Sequence, residues 1–122
     1  MQSRLSKVGL AGLAFVLAST LTLLSVLVQR TGPELVHYGN LCGPTFNDPC
    51  YRPVLKGGFP FAYLFDIPGV SVEGKLAFVE DTLYPGALIL DFIVYFTAIV
   101  LSILVASRCR SVLTRGANRA GA

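Results

Sequence analysis

Three cysteines, one histidine and one acid set inside an apolar run are the residues of this 122-residue chain whose types bear on chemistry. Cys42 and Cys50 stand in CGPTFNDPC, with spacing Cys-x7-Cys. Pro44, Asn47, Asp48 and Pro49 are turn formers, so the chain between the two sulfurs is able to fold back and bring them together. The plain expectation is a structural disulfide in an oxidising compartment. Closing so short a loop stabilises by about 2.5 kcal/mol in the chain-entropy account. Two sharper readings compete. A thiol oxidoreductase would use the same pair, but its usual spacing is Cys-x-x-Cys within a βαβ pattern, which is absent here. A zinc site would draw on His37, Cys42, Asp48 and Cys50, at a spacing that matches no standard ligand pattern. Cys109 lies at the far end of the chain and is expected to be a free thiol. Its place beside a helix end is also where S-palmitoylation occurs. His37 has no base or nucleophile beside it in a recognisable motif and reads as a loop residue.

Asp91 is the one charge in the run at 87–106. About six residues into a helix, it sits roughly 9 Å from the helix start. An ionisable group at that depth is costly in lipid and is a functional hypothesis by default. Three roles are open: a carboxylate that reaches interfacial water, a polar packing contact, or part of an ion or proton pathway. Its helical neighbours at steps of three and four are Ala87, Tyr95, Ala98, Ser102 and Ala106. The first apolar run carries a similar stripe: Ala11, Ala14, Ala18, Thr22 and Ser25. Small residues at that spacing allow close approach of helix backbones. The stripes are expected to face each other or the helices of a partner, with Phe92, Ile93, Phe96, Ile99, Val100 and Ile103 off the stripe.

These residues are positioned by two long apolar elements. Residues 8–28 carry no charge and, as a helix, span about 31 Å, close to the roughly 30 Å hydrocarbon core of a bilayer. A cleaved signal peptide is the rival for this run. The run is longer than a signal's apolar region, and no small-x-small cleavage pattern follows it. Pro85 precedes the second run, where its missing N–H costs a helix nothing. Arg108 and Arg110 close it, where cations suit both the helix dipole and a lipid surface.

The composition agrees. Hydrophobic residues make up 53% of the chain and charged residues 14%, against about 25% charged in a typical soluble domain. Net charge is only +3, so the placement of charges is more informative than their sum. Arg4, Lys7, Arg108, Arg110, Arg115 and Arg119 lie at the two ends with no acid among them. The acids Glu34, Asp48, Asp66, Glu73, Glu80 and Asp81 lie between the apolar runs. This bias predicts both tails in the cytoplasm, with Arg30 as the residue that argues the other way.

The expected architecture is therefore a membrane all-α hairpin: a cytoplasmic N-terminus at 1–7, transmembrane helices at 8–28 and 87–106, an extracytoplasmic loop at 29–86 and a cytoplasmic basic tail at 107–122. The loop holds all seven prolines and cannot be one helix. Phe59, Phe61, Tyr63, Leu64, Phe65 and Ile67 crowd one part of it. That surface must pack within the loop, lie on the membrane interface or meet a partner. Val70 and Val72, a turn at Glu73 and Gly74, then Leu76 and Phe78 predict a short β-hairpin. The tail from Ser111 onward reads as disordered.

No motif for catalysis, a cofactor, a metal or nucleic acid stands in the chain, and it resembles no family by its motifs. The expectation is a non-enzymatic multi-pass protein of the plasma (inner) membrane. Its contacts would be with lipid and with a membrane-protein partner or a second copy, as an accessory or assembly subunit of a larger complex. The alternatives are an extracytoplasmic thiol-redox protein using Cys42 and Cys50, and a self-assembling, holin-like channel using Asp91.

Overall fold

Two apolar helices and a four-stranded antiparallel sheet make up the computed structural model, which describes residues 2–67, 69 and 74–121. Helix α1 is Gln2–Leu24, followed by one 3-10 turn, Ser25–Leu27. Strands β1, Gln29–Cys42, and β2, Asp48–Gly57, form a long hairpin. Two short strands, β3, Leu64–Phe65, and β4, Thr82–Leu83, lead into helix α2, Pro85–Ala120. Both helices are long and apolar enough to cross a membrane.

The helices contain few polar side chains, and several hydroxyls of α1 are satisfied locally. The hydroxyls of Ser19, Thr20 and Thr22 each donate to the carbonyl four residues back, at 2.8–2.9 Å. Such back-bonding leaves no polar group unpaired in an apolar helix. Helix α2 runs well past Ala106. The expectation of a disordered tail is corrected: the chain is helical to Ala120. An established helix extends by gaining one hydrogen bond per residue without a new nucleation cost, and no proline interrupts residues 107–120. The 36 residues of α2 extend about 54 Å.

The helices pack through one face of α1. Ala14, Ala18 and Thr22 are buried there, as is Ser25 in the turn that follows. The face that α2 offers differs from the small-residue stripe expected of it. Phe92, Tyr95, Phe96, Ile99 and Ile103 are half-buried, while Ala98 and Ser102 are exposed, with the Ser102 hydroxyl donating to its own helix at Ala98 O, 2.8 Å. Large side chains of α2 thus meet α1, as in the edge-to-face pair Phe15–Phe92 at 5.2 Å. Ile103 and Val100 share a groove with Ala11 and Ala14. The reason is the step. Asp91, Tyr95, Ile99 and Ile103 follow a row of fours, one of the ridges by which helices interdigitate. The step of three from Tyr95 to Ala98 leaves that row.

The sheet has the order β1-β2-β3-β4. Gln29 pairs with Gly57, His37 with Tyr51 and Cys42 with Asp48, with two register irregularities, between Thr31 and Leu35 and between Tyr38 and Leu41. Every proline within the two long strands lies at or beside one of them. Pro33 falls within the first, and Pro53 and Pro49 pair with Leu35 and Leu41 at their flanks. A proline cannot donate to a regular ladder, and a bulge is where a strand tolerates it. The expected all-α character with only a short β-hairpin is therefore corrected to a mixed architecture whose sheet is built mainly from 29–57. At the predicted hairpin, Leu76 lies in irregular backbone and Phe78 in a turn. Val70, Val72 and Glu73 lie outside the described residues.

Cys42 and Cys50 form a disulfide, Cα to Cα 5.3 Å, across the tip that carries Gly43 and Phe46 at positive φ. Below the tip, Val54, Tyr63 and Leu64 form the small core of the sheet. Asp81 is also buried and accepts from Ala77 N–H at 2.7 Å and Ile67 N–H at 3.3 Å. Its carboxylate thereby joins the two ends of the segment between β3 and β4.

Candidate functional site

Asp91 and Tyr95 of α2 and Ser25 after α1 converge on one stretch of backbone at the end of β2, residues 57–63, GGFPFAY. Two glycines make its path possible. A Cβ on Gly57 would come within 2.8 Å of the Val26 carbonyl oxygen, so only glycine allows β2 to approach the end of α1 this closely. Gly58 has φ +116°, a conformation that L side chains avoid. The peptide Phe59–Pro60 is cis. After it the chain returns, and Tyr63 N–H donates to Gly57 O at 3.0 Å, closing a compact bend.

Both helices and β1 hold this bend by its main chain. From α2, Asp91 Oδ1 accepts from Phe61 N–H at 2.8 Å. One turn further along, the Tyr95 hydroxyl donates to Phe59 O at 2.7 Å. From the end of α1, Ser25 Oγ accepts from Phe59 N–H at 3.3 Å while donating to Thr22 O at 2.7 Å. From β1, Arg30 donates to Gly58 O at 2.9 Å and to Pro60 O at 3.3 Å, and its guanidinium lies 5.8 Å from the centre of the Phe59 ring. The bend also reaches back, its Tyr63 hydroxyl donating to Thr22 O at 2.8 Å. Backbone groups without a sheet or helix partner are costly when removed from water, and here side chains supply the missing partners. Asp91 is 0% exposed, and its Oδ2 is buried without a hydrogen-bond partner among the described residues.

The residues singled out by sequence are thus divided. Asp91, Tyr95, Thr22 and Ser25 come together around the bend. Ala14 and Ala18 line the helix contact below it, and Ala11 lies nearer the N-terminal end of α1. Ala98 and Ser102 take no part. Arg30, the charge at odds with the positive bias of the tails, is engaged by the bend. His37 packs its ring edge-to-face on Tyr51 at 5.8 Å on the hairpin. Cys42 and Cys50 are joined to each other, so neither offers a thiolate to a metal, and among the described residues no three of His, Cys, Asp and Glu gather into a metal-holding group. Cys109 is free and exposed. Sequence reasoning gave Arg30, Tyr63 and the backbone of 57–63 no part in a site. The Gly-Gly-Phe-Pro run, next to aromatic residues, was the available signal for a bend that needs outside partners.

Further out, β3 pairs with Lys56 and Gly57 of β2, and Asp66 N–H donates to Leu55 O at 2.9 Å. The rest of the hairpin extends beyond this support and exposes Leu35, Leu41, Phe46 and Tyr51. Lys56 and Glu34 form an ion pair near its base, and the hydrogen bond from Lys56 holds the Glu34 carboxyl below the ordinary glutamate range. No protein-family model matches the chain, and no curated protein or solved structure is detectably similar to it.

Proposed function

We propose that the chain is a two-helix membrane protein with both ends in the cytoplasm, which holds its hairpin rigidly on the opposite side as a contact element. It acts without catalysis, as an accessory or assembly subunit of a larger inner-membrane complex. The observation that carries this reading is the mounted hairpin itself. Ten residues of β2 extend about 33 Å, and an isolated two-stranded hairpin is marginal in water. Here the tip is stapled by Cys42–Cys50 and the base is held by the bend clamped between the helices. Between those two supports, apolar side chains face outward. Such a patch marks a contact surface, and a rigid mount lowers the ordering cost of binding.

A photoreactive residue at position 46 tests the proposal in cells. It should give one discrete adduct, heavier than a self-dimer, which Leu41→Ser and Tyr51→Ser weaken without lowering protein level. The same probe at Val79 is the control. Equal labelling from both positions would remove the contact reading. Topology is tested separately: an impermeant thiol reagent should reach Val79→Cys from outside and should not reach Ser111→Cys.

A further inference from the structure

We infer that the bend at 57–63 is a re-entrant wedge immersed in the hydrocarbon edge of the bilayer, with Phe59 and Phe61 against lipid acyl chains. The inference rests on the membrane reading above and adds a depth to it. The charges at the other end of the helices set the scale. Asp91 is 17 residues before Arg108 and Ser25 is 18 after Lys7. Along a helix these steps are about 26 and 27 Å, short of the roughly 30 Å hydrocarbon layer. Helix tilt shortens both projections further. Asp91 and Ser25 are the residues that accept from Phe61 N–H and Phe59 N–H. The bend therefore lies at a depth still inside the layer.

The surface at that level agrees. Phe59 is 50% and Phe61 47% exposed. The apolar surface continues beyond them toward the sheet, through exposed Leu27 and Val28 after α1 and Ile89 and Leu90 at the start of α2. Were the bend in water, this collar of large apolar side chains would be in water with it.

Most of the bend's hydrogen bonding has the form that such a location demands. Irregular backbone is tolerated at membrane depth only where protein satisfies its polar groups. The N–H groups of Phe59, Phe61 and Tyr63 and the carbonyls of Gly57, Gly58, Phe59, Pro60 and Tyr63 have partners, whereas the N–H groups of Gly58 and Ala62 and the carbonyls of Phe61 and Ala62 have none among the described residues. Pro60 contributes no N–H to be satisfied. In water most of these groups would need no such provision. Asp91 thus supplies an acceptor where water cannot, and the two phenylalanines fill the lipid side of the same bend.

The chain contains no tryptophan, so single-tryptophan variants report one site each. Phe61→Trp and, independently, Phe59→Trp are reconstituted in vesicles with lipids brominated on the upper part of the acyl chain. Leu101→Trp, on the exposed face of α2, reports the membrane interior, and Phe46→Trp reports the hairpin tip. The wedge predicts that position 61 or 59 loses the larger part of its emission to brominated lipid, as position 101 does, and resists aqueous iodide. Position 46 should behave in the opposite way. If 101 is quenched by lipid while 59 and 61 follow 46, the wedge is refuted and the membrane reading stands. If 101 is also untouched by brominated lipid and open to iodide, the membrane reading falls and the wedge with it.

Discussion

Replacing Asp91 separates its role as an acceptor from its role as a charge. Asp91→Leu removes the Oδ1 that accepts from Phe61 N–H at 2.8 Å, on a side chain that is itself 0% exposed. A donor left unpaired away from water costs about 1–3 kcal/mol. Polar contacts within membranes average about 0.6 and reach about 1.7 kcal/mol, so the expected loss is about 1–2 kcal/mol, in the opening of the bend. At 1.4 kcal/mol per decade, exchange of the Phe61 amide with solvent deuterium should rise by about 5- to 30-fold. Asp91→Asn keeps the acceptor and turns the unpartnered Oδ2 into an amide NH2, so exchange at Phe61 should change by less than about threefold. Tyr95→Phe frees Phe59 O from the same bend. Combined with Asp91→Leu it should cost less than the two single effects added, because once the bend has opened its second bond is already lost. Amide exchange measured by NMR in nanodiscs reads all three variants. Unchanged protection of Phe61 in Asp91→Leu would refute the acceptor role. Equal damage from Asn and Leu would show that charge is what the site needs, as in an ion or proton pathway.

From the sequence stripe, Ala98→Leu is the substitution that should block helix approach. The structure moves that expectation to Ala18, which is 0% exposed. Ala18→Leu should lower the detergent melting temperature, since overpacking costs about 1–3 kcal/mol, whereas Ala98→Leu should leave it unchanged. Removing the disulfide with Cys42→Ser and Cys50→Ser should destabilise the hairpin by about 2.5 kcal/mol, read as faster proteolysis within 43–47. In the native chain Cys109 alone should alkylate without reductant. The lowered Glu34 carboxyl binds its proton less readily in the folded chain than in the unfolded one. Its contribution is therefore present above the unfolded value and lost as pH falls through the folded one. A carboxyl-carbon titration by NMR should place Glu34 below a free glutamate, and Lys56→Met should return it to the ordinary range.

How much of this was legible depends on the distance over which each feature is decided. The two apolar helices were readable because helix formation and length are local, and an uncharged run of 21 residues at 8–28 leaves few alternatives. The disulfide was readable for the same reason, with turn formers between two nearby sulfurs. The extension of α2 to Ala120 was not. A short basic Gly/Ala tail looks weak in isolation, but its nucleation cost is already met by the apolar run before it. The long hairpin was hidden by its prolines, which argue against strands locally and become tolerable once Pro33, Pro49 and Pro53 fall at register irregularities set by pairing. The site was partly visible. A charge in an apolar run marked Asp91, and helical spacing brought Tyr95 to the same face. What Asp91 binds was not visible, because Phe61 is 30 residues away and offers its main chain, whose donors are identical at nearly every position of a sequence. The face of α2 was likewise settled by packing: fitting Phe92 against Phe15, and Val100 and Ile103 against Ala11 and Ala14, depends on two surfaces at once. The sequence by itself determined the apolar lengths, the charge asymmetry and the cysteine pair; only the tertiary structure decided which backbone groups those few polar side chains would have to satisfy.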